Sequence, residues 1–521
     1  MAGTMSNRET ALPSDEGSRR LLPVTAPPMK RYLTLLLSLF FVLPLPAQSR
    51  REALLEYQAR RRQAYTEFRD NYRKACADFM RKRWEAFRAE APVPVPERRE
   101  PDIPVMKHPD APSVPTQDRM PYDKVVDLPE PAPEMPDAPG IAETPAVPDK
   151  PAAGTDAAPP AVDVSRPFKF TFYGTDCSVS LAAKHRFRLA SVQEGSVANA
   201  WERVSGGSFD AATAECLALK KALGLNDWGY YDLVRTLGDA FCGPKTNESV
   251  VLQSFLMAEA GYKVRLARGD GRLFLLLALD GQVYARPYFK IDGQVFYILD
   301  DVPRAASYNI CNFTIPGERP LSLAMPAPPL FAQKPAAPAV RNFDGVVSTT
   351  VTVNRNLMDF YTNYPPCHWS VYAATALTAP VRGQLYPPLR GAVAGKGERE
   401  AAELLLHYLH RAFPYKTDEA QFGAERTFFA EEMYYYPYSD CEDRSILFAR
   451  LVKDLLGLDV VLLYYPAHIA TAVCFRDDVK GDYMQLGNKR YVICDPTYIG
   501  AGVGEAMPDL KRTPAEIVRI D

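Results

Sequence analysis

Cys441 stands at the start of a stretch that runs Asp443-Arg444-Ser445-Ile446-Leu447-Phe448 onward and reads as a helix, with Asp440 placed to cap it. A thiol there faces unsatisfied backbone N–H groups and the positive end of the helix dipole, both of which favour thiolate. Glu442 and Asp443 work against that, so an imidazolium partner is needed to tip the balance. His468 supplies one, just after Tyr465-Pro466-Ala467 and beside a strand-like run at 469–475. Asp495 ends the following strand, where a carboxylate can hold the second imidazole nitrogen and orient the ring. A cysteine on a helix N-terminus with His and Asp on adjacent strands is how nucleophilic cysteine catalysis is built. The backbone N–H of Cys441 is a candidate oxyanion donor. Gln421 is a candidate side-chain donor, with loop filler as its plain alternative. The run Tyr434-Tyr435-Tyr436 lines a cleft or packs a sheet edge.

The elements that must position these residues occur twice. Helices at 398–411 and 443–456 precede strands at 458–464, 469–475 and 490–494, all after a strand at 346–353. Earlier, a strand at 168–173 leads to helices at 211–223 and 248–260, then strands at 262–267, 273–279, 282–288 and 294–300. Helix, helix, then several strands is an α+β arrangement. Sliding the chain by 196 positions puts Ser249 on Ser445, Gly261 on Gly457, Val264 on Val460 and Leu266 on Leu462. After a one-residue deletion Ile298 falls on Ile493 and Asp300 on Asp495. Both copies keep a Gly hinge between helix and strand, where Gly serves the helix C-cap. The mismatches are chemical: Lys245 lies on Cys441 and Arg272 on His468. If a Cys–His pair does chemistry in the second copy, the first copy cannot do it.

The motif Ser439-Asp440-Cys441-Glu442-Asp443-Arg444-Ser445, with His468 and Asp495-Pro496-Thr497, resembles the transglutaminase-like branch of the papain-like cysteine hydrolases. More narrowly it resembles bacterial exported proteins with a D-C-E-D or G-D-C-x-D nucleophile motif. The resemblance implies a small barrel-like antiparallel sheet with the nucleophile helix against it, in a tandem pair of which the first is degenerate. It also implies a Cys441, His468, Asp495 triad, a peptide or protein substrate, and no cofactor or metal. Crosslinking transglutaminases usually carry Gly-x-Cys-Trp; Glu442 takes the place of that Trp, which favours hydrolysis of a peptide or amide bond. Acyl transfer to an amine, and a non-catalytic binding or scaffold role, are the competing functions.

Composition sets the surroundings. A chain of 521 residues is too long for one core. Net charge of −2 does not advertise nucleic acid. The 47 Pro without a matching excess of Gly point to stiff spacers. Residues 1–28 look like sequence upstream of a true start at Met29, and 29–47 read as a secretory signal cut after Ala47, hence export to the periplasm or beyond. That apolar stretch is too short to span a bilayer, so the mature chain has no transmembrane segment. Residues 48–90 read as one amphipathic helix with an apolar stripe at Tyr65, Phe68, Tyr72, Cys76, Met80, Trp84 and Phe87, which packs on the body, self-associates, or contacts a partner or membrane surface. A Pro-rich linker at 91–165, the degenerate domain at 166–325, a second linker at 326–345 and the catalytic domain at 346–521 complete the division. No C-x-x-C pair suggests zinc. His368 is expected to pack beside Trp369, and His407 and His410 to lie on a helix surface. Strand alternation puts Cys474 and Cys494 on opposite faces, so they are not expected to bond.

Overall fold

The structure, a computed structural model, describes residues 47–96, 117–128, 167–300 and 307–520. The upstream segment, nearly all of the signal peptide and most of the first linker lie outside the described residues. The chain divides into two compact units, Met1–Glu67 and Phe68–Asp521.

Helix α1 (Ala47–Met80) ends earlier than the expected Glu90. The Trp84 indole N–H donates to Met80 O at 2.9 Å, closing the last turn, and the buried Trp84 then redirects the chain into strand β1 (Glu85–Phe87). Only part of the apolar stripe is used: Cys76, Ala77 and Met80 are buried, whereas Phe68 is 47% exposed. The buried Arg73 fixes this end, donating to both oxygens of Glu259 at 2.9 and 2.6 Å and to Asp210 at 2.7 Å.

The 91–165 spacer is not wholly without structure. Its described stretch forms strand β2 (Tyr122–Val126), with Met120 buried beside it. The first half follows: hairpin β3 (Phe168–Phe172) and β4 (Thr175–Val179), then helices α2 (Glu194–Ser205), α3 (Asp210–Ala222), α4 (Asp227–Cys242) and α5 (Asn247–Glu259). Strands β5 (Val264–Gly269), β6 (Arg272–Asp280), β7 (Tyr288–Ile291), β8 (Gln294–Tyr297), β9 (Tyr308–Cys311) and β10 (Leu321–Ser322) complete it. The strand expected at 282–288 is displaced to β7, because Gly281 and Ala285 take positive φ and break the extended run. The second half opens with β11 (Ala339–Phe343) paired to β12 (Val347–Val351), so the 326–345 linker contains a strand as well. Helices α6 (Arg355–Asn363), α7 (Trp369–Ala374), α8 (Ala379–Val393), α9 (Glu398–Ala412), α10 (Asp418–Phe422) and α11 (Cys441–Leu456) precede β13 (Asp459–Tyr465), β14 (His468–Cys474), β15 (Tyr483–Leu486), β16 (Lys489–Cys494) and β17 (Ala515–Arg519).

The two sheets share one strand order. In the first it runs β1-β9-β5-β6-β8-β7, and in the second β2-β17-β13-β14-β16-β15. Each is finished at one edge by a strand from the N-terminal segment, β1 antiparallel to β9 and β2 parallel to β17. The hinge glycines Gly261 and Gly457 sit at φ +78° and +64°, the left-handed conformation that ends each helix. With 39% helix and 24% strand and curled sheets, the architecture is mixed α and β and compatible with α+β. Against the expectation that so long a chain needs more than one core, a single main apolar core joins the helices of both halves to one face of each sheet, and a smaller cluster covers each opposite face. Cover on both faces explains unbroken apolar runs such as Leu273–Leu279, which lack the alternation of a half-exposed strand. In the second sheet Cys494 pairs opposite Thr471 and Cys474 opposite Asp459, which keeps the two thiols apart.

Candidate active site

Asp440 occupies the N-cap of α11 and Cys441 its first turn. Asp443, on the same turn, reaches back: its Oδ2 accepts from Asp440 N at 3.3 Å and its Oδ1 from Phe428 N at 2.9 Å. Cys441, Glu442 and Asp443 are all buried. Burial, and then the nearby carboxylates of Asp440 and Asp418, push the Asp443 carboxyl well above its ordinary range. One turn along, Ser445 Oγ donates to Ile469 O at 2.9 Å, tying the start of α11 to the start of β14. Residues four apart share a helix face, so Cys441 lies on the side of α11 from which Ser445 reaches β14.

That strand end carries His468. Its Nε2 meets Asp495 Oδ2 at 2.8 Å, with both side chains buried. The other oxygen, Oδ1, accepts from the backbone N–H groups of Thr497 at 2.9 Å and Tyr498 at 3.2 Å. Burial pushes the Asp495 carboxyl up, yet His468 and the two amides outweigh it and hold the group below the usual carboxylate range. An ionised Asp495 accepts only, so Nε2 carries the proton and Nδ1 is the acceptor nitrogen of the ring. The Tyr465 ring lies nearly parallel to the imidazole, 20° off, with centroids 6.5 Å apart.

One contributor was missed in the sequence. His410, expected at a helix surface, is buried on α9, and its Nε2 donates to the backbone oxygen of Asp495 at 3.0 Å. Burial lowers its pKa to about 4, so it stays neutral and holds the peptide that carries the carboxylate. The available hint was Phe413 three residues on, which extends the apolar face of α9 past His410. His407 is half-buried and His368 caps α7, accepting from Ser370 N at 3.3 Å.

Gln421 lies on α10 with both amide atoms buried and making no hydrogen bond among the described residues, and none joins it to Cys441. Tyr434 is core, its hydroxyl 3.1 Å from that of Tyr408, while Tyr436 stacks on Phe428. The same region holds a cluster that the sequence reading did not assemble. The carboxylates of Asp418, Glu425, Asp440 and Glu442 each place an oxygen within 4.8 Å of the others. An all-oxygen donor set suits a hard divalent cation, and shared protons relieve the same repulsion. Glu442 Oε2 also lies 3.4 Å from Cys441 Sγ.

No family model, curated protein or solved structure matches the chain. The comparison that remains is internal. In the first half Lys245, aligned with Cys441, is not helical at all: its φ is +56° and α5 begins at Asn247, capped by Thr246. Arg272, aligned with His468, is exposed and reaches Lys245 O at 3.5 Å. Burial raises the carboxyl of Asp300, aligned with Asp495, where that of Asp495 is lowered.

Proposed function

We propose that the protein is an exported cysteine hydrolase that cleaves a peptide or amide bond of a peptide or protein substrate through an acyl-thioester, in the manner of transglutaminase-like enzymes. The observation that carries this reading is the buried His468–Asp495 pair at 2.8 Å, set where the helix start bearing Cys441 is hydrogen-bonded to β14. The Cys441 sulfur attacks the substrate carbonyl carbon while its proton passes to His468 Nδ1. The oxyanion that forms is met by backbone N–H groups at the start of α11. Collapse breaks the C–N bond, and the departing amine takes the proton from His468. Water then attacks the thioester with His468 as base, releasing the carboxylic acid and restoring the thiol. Asp495 remains ionised throughout, orienting the ring and stabilising the imidazolium.

Timed labelling of the native full chain with iodoacetamide, located by peptide mass mapping, tests the reading. Cys441 is expected to react faster than the half-buried Cys242 and Cys474, and His468→Ala is expected to slow that reaction. Equal rates at the three thiols, or no effect of His468→Ala, would sink it. Product analysis with an added primary amine then distinguishes hydrolysis from acyl transfer.

A further inference from the structure

The last turns of α1 carry Cys76 into the main core, where it is buried with Ala77 and Met80. Cys311 enters the same core from the end of β9. On that strand Tyr308 and Ile310 belong to the cluster on the opposite face of the sheet, whereas Cys311 and its cross-strand neighbour Leu266 belong to the helix side. Two contacts bracket the pair. Phe79, three residues beyond Cys76, meets Phe313, two beyond Cys311, with ring centroids 5.5 Å apart, and both rings pack on the main core. On the other side, β1 pairs Glu85 with Ile310, and continuing that register by one residue sets Trp84 against Cys311. The Trp84 indole N–H in turn holds Met80 O, one turn after Cys76.

Both side chains are thiols in this structure. Burial, and then the nearness of Cys311, push the Cys76 thiol well above its ordinary range, and burial pushes Cys311 up to about 12. Thiols so placed are slow nucleophiles while α1 is seated. A bond between them therefore forms when α1 lifts, and once buried it is sheltered from reductants in solution.

We propose that Cys76 and Cys311 are a disulfide site that fastens α1, and with it the edge strand β1, to the first half when the chain meets a disulfide oxidant. One thiolate attacks a sulfur of the oxidant, such as glutathione disulfide, releasing one glutathione thiolate and leaving a mixed disulfide. The second thiolate attacks the protein sulfur of that bond, and the second glutathione leaves. Two protein thiols lose two electrons, one glutathione disulfide gains them, and the two S–H protons pass through solvent to the departing thiolates. The bond closes a loop around helices α2 to α5 and strands β3 to β8, which restricts the unfolded chain. An oxidising compartment for the chain rests on the export reading; the pairing does not.

The test incubates the folded full chain with glutathione disulfide in urea just below the unfolding midpoint, where α1 opens locally. Remaining thiols are blocked with N-ethylmaleimide in denaturant, and peptides are mapped by mass with and without reductant. The expected product is a linked pair of peptides carrying Cys76 and Cys311, lighter by two hydrogens than the two thiol peptides together. In Cys76→Ala, Cys311 is expected to stop at the mixed disulfide with glutathione. Oxidised wild type is expected to unfold at a higher urea concentration than the same chain reduced, and that gap is expected to close in Cys311→Ala. Maleimide adducts on both Cys76 and Cys311, a bond from either to another cysteine, or a gap of unchanged size in Cys311→Ala would each overturn the proposal. The redox poise is set in the tube, so neither export of the chain nor the reactivity of Cys441 enters the result; the latter is read by its own labelling rate.

Discussion

The α5–β6–β8 region and the α11–β14–β16 region are built on one strand order and one helix-to-strand hinge, yet they end differently. In the second, the helix begins at Cys441, the strand begins at a buried His468, and the carboxylate beyond β16 is claimed by that His and two amides. In the first, the helix starts at Asn247, past Lys245, and the strand begins at an exposed Arg272. Such a fold supplies places for chemistry at the ends of its elements, and those ends change without disturbing the layers between them. On the proposed reading, reactivity depends on how a helix starts as well as on which residue stands there.

The sharpest break in the comparison is at Cys441, the proposed nucleophile. Cys441→Ala and His468→Ala are each expected to lower turnover about a thousandfold or more, since they act as a unit. Lys245→Cys should gain nothing measurable by the same assay, because position 245 precedes the helix and a guanidinium at position 272 cannot take the place of an imidazole base. Restored turnover in that variant would show that the two sites differ in residues alone. Asp495→Asn is expected to reduce turnover about a hundredfold or more while leaving substrate affinity in place, because the ring loses its orienting charge. An unchanged rate would demote the His468–Asp495 pair to a structural contact.

Stability separates the halves in another way. Arg73→Ala leaves the buried carboxylate of Glu259 without its guanidinium, a loss of about 3 kcal/mol in urea unfolding. A cost near zero would mean that α1 is not fastened to the first half. The smallest effect concerns pH. His410 has a folded pKa of about 4 against an unfolded value of 6.5, so the unfolded chain binds the extra proton between those limits. Its contribution is present above about pH 6.5 and is lost as pH falls toward about 4. Glu431 and Glu432, raised to about 7 by burial, act in the opposite sense over much of that window. The readout is therefore the difference between wild type and His410→Gln in unfolding midpoint at pH 7 and pH 5. Wild type should lose more on acidification than the variant; parallel losses would place His410 in contact with water.

The places of Cys441, His468 and Asp495 at the ends of elements were legible because each has a local signal. Cys441 follows a capping Asp, and His468 and Asp495 flank strands whose apolar runs are plain. The repeat was legible from Gly261 and Gly457, since a left-handed helix end admits few other residues. What escaped depends on tertiary partners. Helix α4 carries Gly229 and Gly238 and is buried over most of its surface, which erases amphipathic contrast. Gly238 is there because a Cβ would come within 2.8 Å of Ser249 Oγ on α5. Helix α8 contains Pro387 and Pro388, ordinarily a stop sign. Strands β1 and β2 are short pieces whose extended form comes from docking at a sheet edge. The carboxylate cluster joins Asp418 and Glu425 to a motif well downstream, through a loop path that no local rule fixes.

The edge strands β1 and β2 carry a consequence for how the chain comes into being. Although the duplication suggests two modules that could be inherited or exchanged separately, the later copy completes its sheet with a strand made long before it, as in the pairing of Lys124 with Glu516. During synthesis β2 must wait, unpaired, until β17 emerges near the end of the chain. This long sequence separation makes docking of β2 a late and slow event. A copy cut out as 346–521 would present the bare edge of β17 to any passing strand, an invitation to aggregate. The N-terminal segment is thus a stitch, drawn through the sheets of both halves.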